Sequence, residues 1–230
     1  MRGIGKFLPW LLPGVAVFHL LASCASFDPA PRGAPATRPR LSSRGETARI
    51  QEKLEEGGRW ALGRRELVVR GRRFNMDCTG AVLAIYYYAG IDLSREFHRY
   101  GGGGVMRLYK SLEAQGLVYD SRSPATGDII FWDNTYDRNG DGRWNDPLTH
   151  VGMVMATADD GTIEYVHLNY RKGIVIERMN LHDPHTHLSP ARGQVRVVNS
   201  PMRMKREGAA HPERWLSSQL YRGFGMGYLF

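Results

Sequence analysis

The spacing of apolar and polar positions changes character near Gly127. Before that point apolar residues recur at helical intervals; after it they alternate or come in short runs bounded by turn residues. Helices are predicted over Glu46–Leu62, Cys78–Ala89 and Val105–Gln115. In the second, Val82, Ile85, Tyr86 and Ala89 fall at i, i+3, i+4 and i+7, and Gly90 follows where a left-handed residue ends a helix. The run Ala84–Tyr88 has high strand propensity, so the helix there rests on the pattern alone. Strands are predicted over Asp128–Trp132, His150–Ala156, Thr162–Leu168, Gly173–Arg178 and Gln194–Val198. Helices first and strands after predict an α+β domain, its N-terminal helices packed on an antiparallel sheet of about five strands.

The N-terminal pattern belongs to neither half. Arg2 and Lys6 precede an apolar run from Phe7 to Leu21 that contains Pro9 and Pro13. The run is shorter than the ~20 residues of a spanning helix and is broken by proline, so residues 1–23 read as an export signal. Leu21–Cys24, "LASC", resembles a bacterial lipobox, whose cysteine carries a diacylglycerol; an ordinary secretory signal with a chance cysteine is the other reading. Residues 24–45 are rich in Pro, Ala and Arg and lack apolar periodicity, as expected of a lipid anchor and tether. Residues 46–230 are about 185 in number, enough for one core. Ala25 after the lipobox cysteine, with no aspartate there, resembles the outer-membrane sorting pattern of Gram-negative cells, which implies a protein on that membrane facing the periplasm.

Charge narrows the partners. The chain carries 31 Lys and Arg against 23 Asp and Glu, formally +8; without Arg2 and Lys6 it is 29 against 23, or +6. An exported basic protein suits anionic envelope polymers or lipid head groups. Nucleic acid is the weaker reading, because the basic residues are scattered.

Only two cysteines are present, Cys24 and Cys78. With Cys24 lipidated, Cys78 has no internal partner and is either an inert buried residue or a reactive one. It opens a predicted helix, where the partial positive charge of the N-terminus favours a thiolate. Asp77 opposes this unless it points away or caps the helix. A nucleophilic Cys78 requires a histidine brought close in space. His150 opens an apolar strand and is the first candidate for the base; His167 or Asn169, on the next strand, would orient it.

The blocks "DCTGAVLAIYYYAGIDL", "PATGDIIFW", "THVGMVM" and "YVHLN", in that order between Phe74 and Arg178, resemble the NlpC-type cell-wall peptidases, papain-like enzymes related to the CHAP amidases. The resemblance implies a papain-like NlpC-type domain with Cys78 as nucleophile, His150 as base and His167 as orienting residue. It further implies amide hydrolysis in peptidoglycan stem peptides with no metal or cofactor required. Two departures stand out. Thr79 replaces the usual serine, and the tyrosine that many members carry upstream of the nucleophile is missing, the first tyrosine being Tyr86. Phe74 or Trp60 is expected to line the site in its stead. An inactive peptidoglycan-binding module and an acyltransferase on the same scaffold are the competing functions.

Four further stretches carry chemistry. "DRNGDGRWND" has Asp137, Asn139 and Asp141 at positions 1, 3 and 5 of a calcium-type loop and Gly142 at position 6, with Asp146 or Asn145 standing in because Leu148 occupies position 12. A structural calcium just before His150 is one expectation; a polar turn is the other. The His182–His187 cluster is expected to be a loop between strands, since Pro184 and Pro190 break ligand spacing. Gly101–Gly104 lacks the Lys-Ser or Lys-Thr of a phosphate cradle and is expected to be a flexible link. The basic stretch around Met202 is expected on a solvated surface, with contact to glycan or membrane as the alternative.

Overall fold

The computed structural model describes residues 44–191, 193–205 and 208–230. The export signal, Cys24 and most of the tether lie outside the described residues. Among those described, no helix is long and apolar enough to cross a membrane.

In chain order the elements are α1 (Arg44–Ala61), β1 (Leu67–Val69), β2 (Arg72–Phe74), α2 (Cys78–Tyr88), α3 (Gly104–Glu113), β3 (Val118–Tyr119), β4 (Ile129–Trp132), β5 (His150–Thr157), β6 (Thr162–Asn169), β7 (Gly173–Asn180), β8 (Leu188–Ala191), β9 (Gln194–Val197) and β10 (Tyr221–Gly225). The domain is α+β, as the pattern predicts. The three predicted helices form, and four of the five predicted strands join the main sheet.

That sheet has six strands, not about five, in the order β3-β10-β4-β5-β6-β7, all antiparallel. Two corrections account for the difference. The predicted strand Gln194–Val198 is real as β9, but pairs with β8 in a separate hairpin. The short β3 and the C-terminal β10 complete the sheet, β10 lying between β3 and β4. β10 reads "YRGFG", two glycines in five residues, so its composition signals a turn. Edge partners on both sides and a bulge between Tyr221 and Gly223 fix it as a strand.

Both faces of the sheet are covered. One packs on α1 and α2 through Leu54, Val82, Ile85, Phe131, Val151, Met153, Met155, Val166 and Ile174. The other carries Ile130, Trp132, Val154, Ile163, Tyr165, Met179 and Phe224, covered by Met202 and Leu220 of the segment leading to β10. Burial on both faces explains why β4 reads as the unbroken apolar run Ile129–Trp132, where a one-sided strand would alternate.

Candidate functional site

Cys78 is held at the first position of α2. Asp77 is the N-cap, in extended conformation, and its Oδ1 accepts the Gly80 N–H at 2.7 Å. The cap thus uses the carboxylate that sequence reasoning left undecided. Gly80 is required for this turn: a Cβ there would lie 2.0 Å from the Asn75 carbonyl oxygen. The residue is half-buried, and the nearby backbone of Val151, the residue after His150, and the backbone and hydroxyl of Thr79 favour its thiolate. Burial and the Asp77 charge nevertheless hold the thiol above its ordinary pKa.

The imidazoles follow from strand register. Gly152 of β5 is opposite His167 of β6, so His150, two residues earlier on the same face, is diagonal to His167. A Cβ at position 152 would come within 2.9 Å of the Val166 oxygen and 3.1 Å of the His167 Cβ, so the glycine admits the close approach. His150 Nε2 lies 2.8 Å from His167 Nδ1. Trp132 and Tyr165 flank the pair, with ring centroids 5.7 Å from His150 and 5.2 Å from His167 respectively. Burial first, and the neighbouring His167 second, push the His150 pKa well below its ordinary value.

The register takes one further diagonal step. His167 is opposite Val175 in β7, and Glu177, two residues on, has its Oε2 3.1 Å from His167 Nε2. His167 is 2 % exposed and Glu177 8 %. Lys172 Nζ donates to Glu177 Oε1 at 2.8 Å and Asn169 Nδ2 to the same oxygen at 3.3 Å. Burial opposes the charge on Glu177, but the hydrogen bonds and charges of His167 and Lys172 prevail, and its pKa lies below the usual carboxylate value. Sequence reasoning missed Glu177. The available signal was a charged residue on the same face as Val175 and Met179 of an otherwise buried strand. Asn169, the alternative orienting residue, binds Glu177; His167 takes the contact with His150.

Cys78, His150 and His167 line one cleft of about 410 Å³, together with Asp77, Tyr136, Tyr170, Arg171, Lys172, Met202, Arg203, Met204, Lys205 and other residues. Three sequence expectations are corrected here. Phe74 and Trp60 do not line the cleft: Phe74 packs on Tyr87 at 5.5 Å and Trp60 stacks on Tyr88 at 5.6 Å. The cleft's phenols come from Tyr136 and Tyr170. The basic stretch around Met202 is not merely solvated surface but forms one wall, because Met202 anchors in the core on the far face of the sheet.

The polar loop ahead of His150 is self-supporting. Asp137 accepts from the Gly140 and Gly142 N–H groups at 2.7 and 2.8 Å, and Asn139 and Asp141 cap amides two residues on. Asp146 is 1 % exposed, with Oδ2 unpartnered among the described residues. The loop thus closes on its own amides; among the described residues no three His, Cys, Asp or Glu side chains group as metal ligands. In the His182–His187 stretch, the His187 ring packs on Trp215 and its Nδ1–H donates to the Asn199 carbonyl at 2.8 Å, a structural role. The loop returns to β5 through Leu148, whose φ of 52° is left-handed, and through the Thr149 hydroxyl, which bonds Thr135. A strained residue two places before His150 marks a backbone held by its surroundings.

No family model and no curated protein matches this chain.

Proposed function

We propose that the chain is a papain-like, NlpC-type cysteine hydrolase that cleaves amide bonds in peptidoglycan stem peptides, held at the cell envelope by a lipid on Cys24. The observation that carries this reading is one cleft lined both by a thiol at a helix N-terminus and by a hydrogen-bonded pair of histidines. The four ordered sequence blocks and the lipobox-like "LASC" support the substrate and the location.

In the proposed reaction His150 takes the proton of the Cys78 thiol as the sulfur attacks the amide carbonyl carbon. The negative charge on the carbonyl oxygen is held by the Cys78 N–H, which as the first helical amide has no intrahelical acceptor. The C–N bond breaks as His150 returns its proton to the leaving amine. Water then attacks the thioester, with His150 again the base, and the free carboxylate leaves while the thiol regains its proton. His167 holds the imidazole in place through the 2.8 Å contact. The rim favours an anionic polymer: Arg171, Arg203 and Lys205 line the cleft beside Lys172, whose charge is balanced by Glu177, against Asp77, which is engaged as a cap.

The test is a digest of purified peptidoglycan analysed by mass spectrometry. The wild-type chain is expected to release fragments with new amine and carboxylate ends, and Cys78→Ala none. Equal product profiles would discard hydrolysis by this thiol.

A further inference from the structure

A proton count along the relay leads past the three residues that the reaction names. Glu177 is ionised, so its Oε2 can only accept, and the proton in the 3.1 Å contact belongs to His167 Nε2. Lys172 already provides the countercharge, at 2.8 Å from the other oxygen, so the carboxylate does not require an imidazolium beside it. A neutral His167 protonated on Nε2 presents a bare Nδ1. The 2.8 Å contact must then be donated by the Nε2–H of His150. That leaves Nδ1 of His150 unprotonated, which is the form able to take a proton from a thiol.

We propose that Glu177, oriented by Lys172 and Asn169, is the positioning residue that fixes the tautomer of His150 through His167. The tautomer assignment stands on the hydrogen-bond geometry; its consequence for catalysis rests on the cysteine-hydrolase reading. Reversing the count shows what the carboxylate does. In Glu177→Gln the donors Lys172 Nζ and Asn169 Nδ2 still face the position of Oε1 and hold the amide oxygen there. The amide nitrogen is then turned toward His167 Nε2, where two donors cannot both remain. His167 must move its proton to Nδ1 and donate to His150 Nε2, and His150 must carry its proton on Nδ1, the nitrogen that takes the thiol proton in the proposed reaction. The isosteric change thus converts the base into its unusable form without removing a contact.

The experiment reads nitrogen-15 resonances of the histidine side chains in the full chain in detergent, and the rate at which iodoacetamide alkylates Cys78 near pH 7. In the wild type, both histidines are expected to be protonated on Nε2 and bare on Nδ1. In Glu177→Gln both should switch to Nδ1–H, with alkylation slowed by roughly 10²–10⁴-fold, the scale of a lost or misassigned base. In Glu177→Gln with Lys172→Met, the amide is freed to turn and part of the wild-type tautomer and rate should return. Unchanged resonances and an unchanged rate in Glu177→Gln would overturn the proposal. Should Glu177→Gln fail to fold, the wild-type resonances alone are decisive: a proton on Nδ1 and a bare Nε2 in His150 would overturn the proposal. A His150→Ala chain that alkylates at the wild-type rate would instead sink the Cys78–His150 pairing of the hydrolase reading, while the resonances still judge Glu177.

Discussion

At the residue scale, burial acts in opposite directions on the two partners of the proposed proton transfer. It raises the Cys78 thiol, assisted by Asp77, and lowers His150. At rest both groups are therefore neutral, and in the proposed reaction the proton moves as the sulfur attacks. A depressed histidine keeps its basic form to lower pH, because protonation then requires more acid than the ordinary value of about 6.5. The acid limb of a kcat/KM profile on a soluble stem peptide should thus lie below pH 6.5, and an acid limb above that value would contradict the burial of His150. Cys78, His150 and His167 were legible from the sequence because each opens or sits in a strongly patterned element. Glu177 was not, because its role depends on the registers of β6 with both β5 and β7, and no local pattern specifies them.

At the element scale, the junction of α2 with β5 and β6 depends on two missing side chains. Gly80→Ala would drive a methyl into the Asn75 carbonyl, and the helix start, with Cys78 on it, must shift. Gly152→Ala would press on Val166 and His167 between adjacent strands, with Trp132 3.2 Å from the new carbon. Each is expected to cost about 1–3 kcal/mol of stability, as overpacking does, measured by urea unfolding. In chains that remain folded, activity should fall well beyond the unfolded fraction, because a displacement of about 1 Å at reacting groups costs on the order of 10²-fold. Variants that unfold less than this yet keep full activity would show that the close approach is not needed. The helices and the β5–β7 meander followed from apolar spacing, whereas β3 and β10 escaped it. Two residues carry no period, and the glycines of β10 mimic a turn until its neighbours on either side fill its hydrogen bonds.

At the scale of the whole molecule, cleft and charge work together. The wall formed by Met202, Arg203, Met204 and Lys205 comes from a segment remote in sequence from Cys78, packed over the far face of the sheet. This is why a basic stretch that reads as ordinary surface becomes part of the site. Binding of anionic muropeptides should weaken as ionic strength rises from 0.01 to 0.15 M, where the screening length falls from about 30 to about 8 Å. Arg171→Ala should flatten that dependence, as measured by calorimetric titration; a salt-independent Kd would remove the electrostatic part of the account. The central claim is a covalent bond to one sulfur, and it is tested most directly by quenching the wild-type chain in acid during turnover of a stem peptide and locating the adduct by mass spectrometry. The account predicts a thioester of the acyl fragment on Cys78, absent in Cys78→Ala and greatly reduced in His150→Ala. Amide cleavage that proceeds undiminished in Cys78→Ala, with no adduct at that residue in the wild type, would contradict it.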